Sequence, residues 1–114
     1  YGTMVHVAKA AIDASGIDAE LIDLRSLLPL DLEAVAASVK KTGRCLIVHE
    51  DNRTAGFGAE IAATLSDEAF FDLDAPLQRL TMPDIPNPHN IELLNAAVPS
   101  VEKIASAMQA LIDI

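Results

Sequence analysis

Hydrophobic and polar positions along the chain switch between a helical period and a strand-like period. Apolar residues recur at helical spacing from Met4 to Ala14, which predicts a first helix. We place Thr3 as its N-cap and Gly16 as its left-handed stop. The next stretch, Asp18 to Leu24, alternates instead, and this predicts a strand with both faces partly covered.

The middle of the chain repeats the helix-then-strand order. Asp31 is placed as the cap of a second helix from Leu32 to about Thr42, and Gly43 ends it. The nearly all-apolar run from Cys45 to Val48 is typical of a strand inside a parallel sheet. A polar loop is expected from His49 to Thr54, at the carboxyl end of that strand.

The last part of the chain predicts two longer helices and a short one around a third strand. A helix is expected from about Gly56 towards Phe70, and a strand from Leu77 to Leu80. Asn90 starts a short helical turn, and Ser100 caps the final helix. Strands that alternate with helices of ten or more residues indicate an α/β fold: a parallel sheet with helices on both faces.

Length and charge narrow the range of possible functions. The 114 residues are enough for one domain, residues 1–114. The net charge of −9 argues against nucleic-acid binding and suits a basic protein partner, although solubility is the simpler explanation. No apolar stretch approaches the roughly 20 residues that span a bilayer, so we expect no membrane contact and a cytoplasmic location.

Candidate chemistry is sparse. Gly56-Phe57-Gly58 opens a helix, but a dinucleotide fingerprint needs a third glycine where Ile61 stands. We favour glycines that allow close packing against a neighbouring subunit or domain. His49 and Glu50 at a strand end are candidates for acid–base work, although a polar loop that caps the sheet is the favoured interpretation. No metal-ligand spacing is present.

Five runs, in order across nearly the whole chain, resemble one family. They are Tyr1–His6, Ala19–Asp31, His49-Glu50 with Ala55–Ile61, Asp74–Arg79 and Pro83–Pro88. Together they resemble the C-terminal domain of transketolase-like enzymes. The closest subgroup is the beta subunit of the thiamine-dependent decarboxylase component of 2-oxo acid dehydrogenases. Val-His-Glu-Asp before Ala-Gly-Phe-Gly favours the branched-chain, 2-oxoisovalerate type.

The resemblance implies a three-layer α/β/α fold with a five-stranded, mostly parallel sheet. One of its central strands directly precedes the Tyr-Gly-Thr motif, and no such strand stands before Tyr1 here. We therefore expect a fragment of a longer beta subunit. We also expect the gap in the sheet to be filled, either by a further segment or by another chain, with a homodimer of the fragment as one form.

The resemblance also implies a role. The family's full enzyme is a heterotetramer that binds thiamine diphosphate and magnesium between the alpha subunit and the N-terminal domain of the beta subunit. It oxidatively decarboxylates a branched-chain 2-oxo acid and transfers the acyl group to lipoyl. The domain resembled here binds no cofactor, is inactive alone, and packs beta against beta.

Matching positions give contact candidates. Those on the subunit-contact helix are Gly56, Phe57, Gly58, Glu60 and Ile61. Asp113 and Ile114 are candidates for contact with the subunit-binding domain of the acyltransferase. The alternative that stays open is a free-standing flavodoxin-like module for nucleotide binding or for protein interaction.

Overall fold

A computed structural model describes residues 1–114, the whole of the chain. It contains five α-helices, one 3-10 turn and two strands. They are α1 (Met4–Ser15), α2 (Leu32–Thr42), β1 (Leu46–Asn52), α3 (Phe57–Ala69), the 3-10 turn (Phe70–Asp72), β2 (Gln78–Met82), α4 (Ile91–Ala97) and α5 (Val101–Ile112). This order confirms every predicted helix and two of the three predicted strands.

Most of the helix boundaries follow the residues that the sequence placed there. Gly16 and Gly43 end α1 and α2 in the left-handed conformation, with φ of 69° and 70°. The side chains of Asp31 and Ser100 each accept a hydrogen bond from a backbone N–H three residues on. Thr3 holds the N-cap position of α1 but makes no side-chain capping bond there.

The helices cover both faces of a parallel pair of strands. β1 pairs with β2 in a register that sets Leu46 opposite Gln78 and Val48 opposite Leu80. Because successive side chains of a strand point to opposite faces, Leu46 and Val48 pack against α1 and α5, whereas Ile47 packs against α2 and α3. The three-layer α/β/α arrangement is therefore confirmed.

The strand predicted from Asp18 to Leu24 is wrong, and this chain forms two of the five strands that the family's sheet has. The stretch is extended but pairs with nothing, and the sheet has two strands. Alternation alone cannot make a strand, because an extended chain needs a neighbour for its backbone. The polar loop predicted to start at His49 is also wrong, since β1 continues to Asn52 with an irregularity after Val48.

An apolar space separates this extended stretch from the free edge of β1. We call it the central slot: it has a volume of about 360 Å³, and 22 of its 27 lining residues are hydrophobic. Leu21 and Ile22 on its outer wall remain 40% and 36% exposed. The single chain leaves the slot open, and its filling by a further segment or by another chain stays a prediction.

Candidate functional site

The corner where β1 leads into α3 holds the most constrained polar side chain of the molecule. His49 is completely buried, and its ring stacks on Tyr1 with centroids 6.2 Å apart and planes 14° apart. Its Nδ1 accepts a hydrogen bond from the backbone N–H of Asp51 at 3.2 Å. A neutral ring therefore carries its proton on Nε2, and this atom has no hydrogen-bond partner.

Burial decides the charge state of His49. Loss of hydration lowers the pKa of the imidazole, and this outweighs the carboxylate of Asp51, which raises it; Arg79 lowers it further. A neutral ring with no exposed atom is suited to packing rather than to proton transfer with a substrate. Glu50, the neighbouring candidate, is exposed. Their chemical role stays a prediction that this geometry does not favour.

Two glycines of the Gly-Phe-Gly motif make room for that ring. A Cβ atom on Gly58 would stand 2.4 Å from the Nε2 of His49. A Cβ on Gly56 would meet the carbonyl oxygen of Asn52 at 2.2 Å and the Cε1 of His49 at 2.8 Å. The close approach served by these glycines therefore lies within the chain, between the start of α3 and β1.

The loop between β1 and α3 is tied to the proline-rich segment after β2. The backbone N–H and the hydroxyl of Thr54 both donate to the carboxylate of Asp84, at 2.8 and 2.5 Å. These bonds lower the pKa of Asp84. Arg53 and Arg79 each donate to the other's backbone carbonyl, at 3.3 and 3.0 Å. Ala55 takes a left-handed φ of 61° in this loop.

The predicted contact residues fall into two groups. Gly56, Gly58 and Ile61 are buried inside the chain, and Ile61 is 3% exposed within the core cluster of α2 and α3. Phe57 is half-buried and Glu60 is exposed. Only the latter two offer side-chain surface to another subunit, and their role as contact residues stays a prediction.

The carboxyl end of α5 is exposed, as a contact site would require. Asp113 accepts a hydrogen bond from the Gln109 side chain at 2.9 Å, and Ile114 is 59% exposed. Arg44 reaches this end and donates to the backbone carbonyls of Leu111 and Ile114 at 3.0 and 3.4 Å. The arrangement fixes the chain end beside the start of β1.

Neither a metal centre nor a membrane-spanning element stands out. No group of three or more His, Cys, Asp or Glu side chains is placed to hold a metal ion. No helix has the length and hydrophobicity needed to cross a membrane.

Several residues of the corner could not be identified from the sequence. Tyr1, Arg79 and Asp84 come from distant parts of the chain and gave no local signal. The apolar start of β1 was the one usable signal. A buried strand that continued three residues beyond Leu46 would carry His49 into the interior.

Several known proteins are similar to this chain in sequence. The chain is 51% identical over all its 114 residues to the 2-oxoisovalerate dehydrogenase subunit beta of Pseudomonas aeruginosa, and covers 32% of that protein. It is 41% identical to the pyruvate dehydrogenase E1 component subunit beta of Porphyra purpurea, over 99% of the chain and 35% of the relative. The 2-oxoisovalerate dehydrogenase subunit beta of Bacillus subtilis is 38% identical, with 99% of the chain and 36% of the relative covered. The chain thus spans about a third of the length of these relatives.

A solved structure and a family model also match this chain. A split gene transketolase, described as an inactive beta4 tetramer, matches with a TM-score of 0.81 and 26% identity. The match covers 98% of this chain and 37% of that one. Residues 1–104 match the family description "Transketolase, C-terminal domain". The chain therefore belongs to the transketolase C-terminal domain family, and it is similar to the beta subunits of 2-oxo acid dehydrogenases.

Proposed function

We propose that the chain is the C-terminal domain of a longer beta subunit in a 2-oxoisovalerate-type dehydrogenase, where its work is contact between subunits. The observation that carries the proposal is the 51% identity to the Pseudomonas aeruginosa subunit, along the whole chain. The pyruvate dehydrogenase relative from Porphyra purpurea reaches 41%. The branched-chain assignment rests on that difference.

Catalysis is proposed for the whole enzyme and not for this chain. Magnesium in proteins takes oxygen ligands in near-octahedral geometry, and the residues present here do not form such a set. His49 is buried whereas Glu50 is exposed, so the two side chains do not present a joint acid–base pair to solvent. We therefore place thiamine diphosphate and magnesium elsewhere, between the alpha subunit and the remainder of the beta subunit.

The proposed partners are the alpha subunit, a second beta subunit and the basic subunit-binding domain of the acyltransferase. The net charge of −9 supports the last of these, because charge of opposite sign speeds association and fixes orientation. Phe57 and Glu60 on α3 are proposed for contact between subunits, with Asp113 and Ile114 at the acyltransferase contact. The proposed compartment is the cytoplasm.

A domain graft tests the proposal. Residues 1–114 would replace the matching third of the Pseudomonas aeruginosa beta subunit, expressed together with its alpha subunit. We expect the complex to assemble and to decarboxylate 2-oxoisovalerate. A matched graft with Gly58→Ala, which introduces the Cβ clash with His49, should assemble poorly. An unmodified graft that folds by circular dichroism but fails to assemble would contradict the contact role.

The isolated chain provides the complementary test. We expect isothermal titration with thiamine diphosphate and magnesium to show no binding, and the chain to release no carbon dioxide from a 2-oxo acid. Turnover by the chain alone would overturn the proposal. A rise in melting temperature with FMN, NAD or ATP would instead support the flavodoxin-like alternative, since a ligand stabilises the state that binds it.

A further inference from the structure

The end of β1 departs from regular strand pairing. β1 runs to Asn52, but its register with β2 shifts between Val48 and Asn52. Within that interval His49 is completely buried, whereas Glu50 and Asp51 are exposed. An irregularity of this kind takes part of the backbone out of the hydrogen-bonded ladder. The backbone that follows His49 can therefore adjust more easily than that of a regularly paired strand.

The ring of His49 makes one hydrogen bond, and the direction of that bond requires a neutral ring. Its Nδ1 accepts the backbone N–H of Asp51 at 3.2 Å. An imidazole that accepts at Nδ1 carries its single proton on Nε2, and that nitrogen has no partner. A second proton would sit on Nδ1, so that two N–H groups pointed at each other where the hydrogen bond now lies. The observed arrangement therefore suits only the uncharged ring.

The ring cannot relieve this conflict by turning towards solvent. A Cβ atom on Gly58 would stand 2.4 Å from its Nε2, and one on Gly56 would stand 2.8 Å from its Cε1, so the start of α3 closes against one edge of the ring. The ring of Tyr1 stacks on one face. A change that accommodates a charged ring must therefore come from the groups around it rather than from a new rotamer of His49.

The charged groups that face the ring favour one alternative arrangement. Burial lowers the pKa of His49, and the carboxylate of Asp51 on β1 raises it; Arg79 on β2 and the amino group of Tyr1 lower it as well. The start of α3 contributes glycine backbone and no charge. One carboxylate oxygen of Asp51 accepts the N–H of Asn52 at 2.8 Å, which leaves the other oxygen for a further donor. Asp51 thus carries a donor that suits the neutral ring and an acceptor that suits the charged one.

We propose that the end of β1 is a pH-sensitive switch, in which neutral His49 accepts the backbone N–H of Asp51 and protonated His49 donates to the carboxylate of Asp51 instead. The proton comes from solvent, and the exchange takes place by rotation about residues 50–51, in the irregular part of β1. Because Gly56 and Gly58 pack directly on the ring, the start of α3 moves with it. The switch connects the charge of His49 to Phe57, and only the meaning of that connection for subunit contact rests on the proposed function.

Tyrosine fluorescence tests the switch. Tyr1 is the only tyrosine and the chain has no tryptophan, so the intrinsic emission reports on the ring stacked on His49. Burial and the carboxylates of Asp51 and Glu50 raise the pKa of the Tyr1 phenol, which therefore stays protonated throughout. Between about pH 8 and pH 5, we expect one transition in emission and in acrylamide quenching. Its midpoint should lie below about pH 6.5, with the far-UV circular dichroism unchanged.

Nuclear magnetic resonance locates the same transition in the chain. The imidazole signal of His49 should titrate with the midpoint seen in fluorescence. The backbone amide of Asp51 should shift in the same pH range, because it loses its acceptor, and the amides of residues 56–58 should shift with it. A transition shared by these amides is the signature of a rearrangement, which the charge of a ring in a fixed structure would not produce in acrylamide quenching of Tyr1.

Matched variants assign the two partners. His49→Asn keeps an acceptor oxygen for the N–H of Asp51 but takes up no proton, so the transition should disappear; His6→Asn, at an exposed position, should leave it intact. Asp51→Asn removes the carboxylate that receives the charged ring and should move the midpoint to lower pH. Asp67→Asn makes the same change at an exposed position of α3 and should not. The Asp51 comparison keeps the histidine and so stands even where His49→Asn folds poorly.

Two results would overturn the proposal. The first is titration of the His49 ring without any change in the quenching of Tyr1 or in the amides of Asp51 and residues 56–58. The second is uptake of the proton by His49 only as the far-UV circular dichroism is lost, because protonation would then accompany global unfolding rather than a local rearrangement.

Discussion

The ring of His49 and the backbone of Gly58 approach each other closely between β1 and α3. The ring has no exposed atom and no freedom to swing towards solvent, so a side chain at residue 58 has nowhere to go. Interiors packed at this density respond to an added methyl group by strain rather than by collapse. This pair is therefore the best place to test the packing of the corner.

Gly58→Ala should destabilise the domain by about 1–3 kcal/mol, the usual cost of overpacking. The better helix propensity of alanine offsets part of that cost. Urea unfolding measures this change in the free energy of unfolding. In a His49→Ala background, where the clashing ring is removed, the same change should cost much less. Equal costs in both backgrounds would show that the ring is not what the glycine accommodates.

The lowered pKa of His49 predicts a pH dependence with a definite sign. The folded pKa lies below the unfolded value of about 6.5, so the unfolded chain binds the proton first as the pH falls. Stability from this group is complete above about pH 6.5 and decreases as the pH falls from there towards the folded pKa. Urea unfolding at several pH values checks it.

His49→Asn should flatten that dependence, whereas the exposed His6→Asn should leave it unchanged. Asp84 contributes to stability over a different pH range, because its pKa is lowered in the folded state. Its contribution is present above about pH 4 and is lost as the pH falls through the folded pKa. A slope just below pH 6.5 that persists in His49→Asn would contradict the assignment.

Among the elements, α1 and α5 pack on the same face of the sheet yet start in different ways. Ser100 caps α5 through a 3.2 Å bond to the N–H of Lys103. Thr3 stands at the start of α1 without a capping bond. Residue type alone predicted the same role for both, and the difference arises from the backbone, since Thr3 has helical rather than extended dihedral angles.

Ser100→Ala should therefore destabilise the domain by about 1 kcal/mol, as loss of an N-cap does. Thr3→Ala is the matched control, and we expect a change close to zero. Thermal unfolding followed by circular dichroism compares the two. Similar losses for both variants would mean that Thr3 forms its cap in solution.

At the scale of the whole molecule, net charge is the feature that affects association with a partner. Acidic residues outnumber basic ones by 17 to 8. Such an excess predicts attraction to a basic partner that weakens as salt screens it. The position of the attraction, however, depends on which acidic groups the fold gathers at the contact.

Asp113→Lys in the grafted beta subunit should weaken binding to the proposed partner, the basic subunit-binding domain of the acyltransferase, and the loss should shrink at high salt. Glu33→Lys makes the same charge change at the exposed first turn of α2 and serves as the control. Surface plasmon resonance at two salt concentrations measures both. Equal losses of affinity in the two variants would indicate an effect of net charge rather than a contact at the end of α5.

The sequence by itself determined the helices, their caps at Asp31 and Ser100, the stops at Gly16 and Gly43, and the two paired strands. These depend on neighbours within a few residues, where periodicity and capping chemistry operate. The motifs also determined the family, since they follow one another in order along the chain. The sequence could not reveal that Asp18 to Leu24 stays unpaired, because pairing depends on a neighbour far away in the chain.

Only the tertiary structure decided the roles of the Gly-Phe-Gly motif and of His49. The motif predicted close packing, but the partner that fills the space is a ring on β1, brought there by the β1–α3 turn. The ties of Thr54 to Asp84 span 30 residues and have no local signature. Contacts of this kind depend on which distant segments the fold brings together, so no single segment of the sequence could reveal them.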